Sequence, residues 1–200
     1  IDANGTPRVD RVLGCIHESM AHIFCTVPIL ISSQLPVGTI ASLEREFSTR
    51  RFAYSPENIR AASGVKDFEE QSRIIVGSRH DEDRPLWEQL FQPFTRRLIL
   101  TDPETAEMVK HALNAYLGLS IAFMHEIGRV AHVVGADINT ISHSLLTERR
   151  ISPDAPLCPG PSWGGEHLAR DIDMLRTIAQ QYIIPIPILE HIHLSREVDK

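Results

Sequence analysis

Cysteine is scarce in this chain of 200 residues. Cys15, Cys25 and Cys158 are its only cysteines, and no two of them form a CxxC pair. So sparse and odd a set excludes a disulfide framework and points to a reducing compartment such as the cytoplasm. Basic residues are outnumbered: the net charge of -6 leaves no cationic footprint, which argues against nucleic acid as a partner. No apolar run reaches the roughly 18 residues that a membrane span needs, so no membrane partner is expected. The chain opens IDANGTPRVD, without an initiator Met or a secretory h-region, and so is expected to begin inside a longer protein. Glycine-rich phosphate loops are missing too. With neither GxGxxG nor GxxxxGKS/T, this stretch cannot be called a dinucleotide site on its own.

What is present reads as an ordinary soluble globular protein, long enough for one large domain or two small ones. Its organising stretch is Thr101 to Val134. Apolar residues there, among them Val109, Leu113, Tyr116, Phe123, Ile127 and Val130, recur near the 3.6-residue period of a helix about 48 Å long. Lys110 and Asn114 are spaced i,i+4 and share one helical face.

Before this rod, helices and strands alternate. Residues 9 to 24 space their apolar side chains as a helix. Thr26 to Ser33 is a β-rich apolar run, and Thr39 to Phe47 is helical after the break at Pro36-Val37-Gly38. Phe52 to Tyr54, Arg73 to Gly77 and Arg97 to Thr101 are further strands, with a helix at Pro85 to Phe91. Such alternation predicts an α/β fold with a parallel sheet. Ligands usually bind at the carboxyl ends of such strands, which is where Ser33, Gln34 and Ser55-Pro56-Glu57 fall. After the rod the pattern is all-helical. Gly135 is a C-cap, Asp137 caps a helix from Ile138 to about Glu148, and a Pro-rich stretch from Arg150 to Trp163 follows. Two more helices run over His167 to Tyr182 and beyond Pro187.

The histidines do not make a metal site. His17 and His22 are five residues apart, one more than HExxH, so their rings diverge by about 140° around a helix. His191 and His193 point to different helical faces. The run Gly164-Gly165-Glu166-His167 carries more chemistry. Paired glycines ahead of a helix let the backbone approach a ligand, and Asp171 lies one turn beyond His167.

Taken in order, these anchors resemble the UDP-glucose/GDP-mannose dehydrogenase family, the NAD-dependent nucleotide-sugar 6-dehydrogenases. The resemblance runs from about Thr6 to Lys200. It rests on Pro36-Val37-Gly38-Thr39, Ser55-Pro56-Glu57, Arg73-Ile74-Ile75-Val76-Gly77 and Glu104-Thr105-Ala106-Glu107 leading to Lys110 and Asn114. Gly135-Ala136-Asp137, Arg150-Ile151, Pro159-Gly160, Gly164-Gly165 and Asp171 complete it.

The resemblance implies a fold in two parts. Residues 1–101 would be the second half of an NAD-binding Rossmann-like domain. Residues 102–200 would be the long connecting helix and a helical dimerisation domain of the 6-phosphogluconate-dehydrogenase type. The glycine fingerprint would lie upstream and the nucleotide-sugar-binding domain downstream. NAD is the implied cofactor, a nucleotide sugar the implied substrate, and a homodimer through 102–200 the implied assembly, with polysaccharide biosynthesis as the setting. By the same resemblance, Lys110 and Asn114 would stabilise a developing oxyanion, and Glu57 would hold the active-site water. Asp171 would assist the acid–base steps, Arg150 would reach the neighbouring subunit's substrate, and Gly164 and Gly165 would line the substrate site. Ser33, Gln34 and Glu57 would face the cofactor.

The chain also departs from the family pattern. Its GGxCxPKD motif reads Gly164-Gly165-Glu166-His167-Leu168-Ala169-Arg170-Asp171 here, so the nucleophilic cysteine is His167 and the lysine is Arg170. The threonine before PVG is Gln34, and the second glutamate after SPE is Ala61. An imidazole does not replace a thiolate in the covalent step of the second oxidation. The expectation is therefore a single two-electron oxidation with His167 as general base. The alternative is an inactive homologue serving as a binding or assembly scaffold.

Overall fold

A computed structural model describes residues 9–57, 64–69, 71–159 and 166–198. The order of elements is α1 (Val9–Met20), β1 (Ile29–Ile31), α2 (Thr39–Glu46), β2 (Phe52–Tyr54), α3 (Gly64–Glu69), β3 (Ile74–Ser78), α4 (Arg84–Phe91), β4 (Leu98–Thr101), α5 (Pro103–Val134), α6 (Ile138–Leu146), α7 (Glu166–Gln181) and α8 (Pro187–Val198). The expected alternation followed by an all-helical part is what forms. The chain divides into two compact units, Ile1–Lys110 and His111–Lys200, so the division falls inside the continuous helix α5. None of the described helices is long and apolar enough to cross a membrane.

In the first unit the four strands lie in the order β1-β2-β3-β4. The β1–β2 and β3–β4 pairs are parallel, but β2 and β3 run antiparallel, with Ala53 opposite Ser78 and Tyr54 opposite Gly77. The fully parallel sheet expected from the alternation is thus corrected to a mixed one. A parallel return needs a crossover, usually a helix, that travels back along the sheet. No such return is made between β2 and β3, whose pairing register runs them in opposite directions.

Strand side chains alternate between two cores. Ile31, Phe52, Tyr54 and Ile75 join Ile40 and Leu43 of α2 and Met20 of α1 on one face. Ala53, Ile74 and Val76 meet Trp87 and Phe91 of α4 on the other. The apolar short strands follow from this burial on both faces.

Helix ends are fixed by identifiable caps. Asp102 accepts from the Thr105 N–H at 2.7 Å, and its carboxyl sits below the ordinary aspartate value because the Thr105 backbone and hydroxyl both donate to it. Gly135, with φ 72°, ends α5 in a left-handed turn in which Ala136 N–H returns to the Ala131 carbonyl at 2.9 Å. Asp137 caps α6 as its position predicts, accepting from Asn139 and Thr140 N–H at 3.2 and 3.0 Å. At Gly77 any Cβ would lie 2.7 Å from the Asp102 carbonyl and the Pro103 Cα, so only glycine lets β3 pass the start of α5 this closely.

Candidate active site

In the second unit, α5 and α7 place three polar side chains in one apolar setting. Ala115, Ala122, Ala169 and Ile172 are buried together, and the small alanines let the helices pack closely. Within this layer His111 and Asp171 are fully buried and Asn114 is 7% exposed. His111 Nδ1 lies 2.7 Å from Asp171 Oδ1, and Asn114 Nδ2 donates to Asp171 Oδ2. His111 and Asn114 are i,i+3 on α5, so one helical face supplies a donor to each carboxylate oxygen.

A buried carboxylate is costly unless it is paired and hydrogen-bonded. Burial of Asp171 opposes its ionisation, but the bonds from His111 and Asn114, aided by the charge of Arg170, outweigh it. The carboxyl therefore sits below the ordinary aspartate value. It is an ionised acceptor fixed at both oxygens.

In the first unit, the carboxyl ends of β1 and β2 bring the sequence-predicted loops side by side. Ser55 N–H donates to the Ile31 carbonyl at 3.0 Å, and Ser32 Oγ donates to the Ser55 carbonyl at 3.0 Å. A cavity of about 250 Å³ opens there, lined by Ser32, Ser55, Glu57 and Gln71 together with Phe68 and Phe94. That is slightly below the roughly 300–1,000 Å³ of sites that enclose a whole drug-sized ligand, so it suits a ring-sized moiety rather than an entire dinucleotide. Glu57 is exposed at its rim, while Ser33 and Gln34 are half-buried in the loop after β1. The hydroxyl, amide and carboxylate groups lining this cavity offer both donors and acceptors, which fits the polar edges of a nucleotide cofactor.

That loop is tied to α5. The buried Glu107 carboxylate accepts Gly38 N–H at 2.6 Å and Ile40 N–H at 3.0 Å, serving as the N-terminal cap that α2 has no residue of its own to provide. Gly38 has φ 90°, which lets the chain turn into the helix beneath the carboxylate. Lys110 follows one turn later on α5 and is half-buried.

The sequence-predicted residues thus meet varied outcomes. Asn114 and Asp171 come together in a direct hydrogen bond. Arg150 is 84% exposed in the loop after α6 and pairs with Glu148 at 3.0 Å. Gly164 and Gly165 lie outside the described residues, as do Ala61 and the side chain of His167. His111 is the residue that sequence reasoning missed. Its signal was the i,i+3 spacing to Asn114, hidden because the same position also fits the apolar face of the helix.

Solved structures share this fold. A UDP-D-ManNAc dehydrogenase from Pyrococcus horikoshii matches 98% of the chain and 47% of its own length with TM-score 0.80 at 23% identity. A UDP-glucose dehydrogenase from Pyrobaculum islandicum matches 86% and 41% with TM-score 0.78 at 22% identity. The fold is therefore that of the nucleotide-sugar dehydrogenases.

Sequence comparison makes this more specific. Residues 104–197 match the central domain of the UDP-glucose/GDP-mannose dehydrogenase family. A UDP-glucose 6-dehydrogenase from Rickettsia bellii is 29% identical across 98% of the chain and 46% of its own length. The UDP-glucose 6-dehydrogenase TuaD of Bacillus subtilis is 30% identical across 84% and 38%. Residues 104–197 belong to the UDP-glucose/GDP-mannose dehydrogenase family, and its UDP-glucose 6-dehydrogenases match most of the chain. The chain spans less than half the length of these curated relatives.

Proposed function

We propose that the protein is an NAD-dependent oxidoreductase that removes one hydride from a CH–OH group of a nucleotide sugar and stops there. The carrying observation is the buried Asp171 carboxylate, held by Asn114 and His111 on the family's central helices. A fixed, ionised acceptor of this kind can orient and assist the group that takes the proton of an alcohol. Lys110 and Asn114, one turn apart on α5, pair a cation with an amide donor, the chemistry that an alkoxide needs as it develops. The Asn114 amide has two N–H bonds, so donating one to Asp171 leaves its oxyanion role chemically open. NAD+ supplies the hydride acceptor when bound, and Ser33, Gln34 and Glu57 would hold it at the strand ends. Glu57 would also position the active-site water, Gly164 and Gly165 would line the substrate site, and Arg150 would reach the neighbouring subunit's substrate.

His167, where the family pattern has its cysteine, would act as a general base and not as a nucleophile. Without a thiolate no covalent thiohemiacetal forms, which removes the route to the second oxidation. Counting NADH released per sugar by the full-length protein tests this. One NADH and a carbonyl product are expected, whereas two NADH and a uronate would overturn it. If neither NAD+ nor any nucleotide sugar raises the melting temperature, the scaffold reading replaces the enzyme.

We also infer a homodimer formed through residues 102–200. Tyr116, Phe123 and Val130 of α5 are 59%, 46% and 61% exposed and recur every seven residues, a continuous apolar seam on one helix. Ile183 and Ile188, between and at the start of the last two helices, are exposed as well. Light scattering should give twice the chain mass, falling to a monomer in Phe123→Glu. A monomeric wild type at high concentration would count against the seam as an interface.

A further inference from the structure

His111 has no chemical step of its own, yet it is among the most completely buried side chains in the second unit. We propose that His111 is a positioning residue for Asp171: its Nδ1–H holds the carboxylate in the one orientation in which it works. The proposal rests on the reading of Asp171 as the carboxylate that assists the acid–base steps of a dehydrogenase.

The geometry carries it. A carboxylate turns about its Cβ–Cγ bond, and a single donor leaves that rotation loosely restrained. Here two donors approach from consecutive turns of the same helix, His111 on Oδ1 at 2.7 Å and Asn114 on Oδ2. Both donors are anchored to one rigid element, so the plane of the carboxylate is set by α5 and not by α7, which bears Asp171. The acceptor is ionised, so the proton of the pair resides on His111 Nδ1, which fixes the tautomer of the ring.

A space-filling apolar residue would satisfy packing against Ala115 and Ile172 equally well. Its cost would be a carboxylate oxygen left without this donor in an apolar layer. The imidazole is thus explained by Asp171 and not by volume. Because the ring is buried, it acts through Asp171 and is a positioning group rather than a catalytic one. Misplacing a reacting group by about 1 Å costs on the order of 100-fold in rate.

Two substitutions separate positioning from packing. In His111→Phe the volume is kept and the donor lost. In His111→Asn the side-chain amide nitrogen can stand near the place of Nδ1. In the full-length protein His111→Phe should lower kcat about 10- to 100-fold with KM changed less than about threefold, and His111→Asn should recover most of kcat. Nitrogen-15 NMR of the histidine rings should show His111 as the Nδ1–H tautomer, and Asp171→Asn should shift that resonance.

If His111→Phe has wild-type kcat, or if the ring is the Nε2–H tautomer with Nδ1 unprotonated, the positioning role is overturned. The NMR result stands even where His111→Phe fails to fold. If the wild-type protein oxidises no nucleotide sugar, the functional reading fails and this role with it. A working wild type with an unaffected His111→Phe overturns the role of His111 alone.

Discussion

Asp171→Ala is expected to remove turnover and to destabilise the second unit by about 3–5 kcal/mol, the usual cost of deleting one member of a buried hydrogen-bonded pair. The destabilisation follows from what remains. With the carboxylate gone, His111 Nδ1 and Asn114 Nδ2 face an apolar cavity between α5 and α7, each having lost a strong acceptor. Loss of the acid–base group should lower kcat by about 10²- to 10⁴-fold.

Asp171→Asn keeps the shape, but one of its two heads becomes a donor facing another donor, so it rescues only part of the stability. The pH dependence has a definite sign. Asp171 titrates below its ordinary value in the folded chain, so its contribution is present above the unfolded-state value and is lost as the pH falls through the folded one. Urea denaturation of wild type and Asp171→Ala at neutral and acid pH measures both effects. A gap between the two that does not narrow on acidification would show that ionised Asp171 is not what stabilises the unit.

The second large effect is expected at Glu107. Glu107→Ala should destabilise the first unit by about 3–5 kcal/mol. The carboxylate accepts two backbone N–H groups, Gly38 and Ile40, and each bond to a charged acceptor contributes about 1.5–3 kcal/mol. Removing it leaves the α2 N-terminus without its cap in a buried position. Glu107→Gln should fall between, because one head of the amide would direct its N–H groups at a backbone N–H. A shift in denaturation midpoint equivalent to under about 0.5 kcal/mol for Glu107→Ala would mean that α2 is held by packing alone. The consequence reaches function, because Ser33 and Gln34 stand in the loop that this carboxylate tethers to α5, one turn before Lys110.

Most elements were legible because local rules agree with burial here. The 3.6-residue period of α5 and the glycine that ends it predicted a rod to Val134, and the rod ends there in a left-handed glycine turn. Asp137 was readable as a cap because a short carboxylate before a helix has few other local partners. Phe52-Ala53-Tyr54 was readable as a strand because it is short, apolar and bounded by charged and turn residues. The direction of β3 was not readable. Alternation of helices and strands implies a parallel return, and only the pairing register in space shows that β3 runs against β2.

The site divides in the same way. By itself the sequence determined that Lys110 and Asn114 share a helical face, that Asp171 lies near the start of another helix, and that the family's cysteine position holds His167. Those are matters of local spacing and residue identity. Only the tertiary structure decided that Asn114 and His111 grip the same carboxylate from α5, and that Glu107 caps a helix 67 residues earlier in the chain. Hydrogen bonds between distant segments leave no period in the sequence, because each partner taken alone is a common polar residue on a helix. What makes them specific is the apolar packing that excludes water from around them.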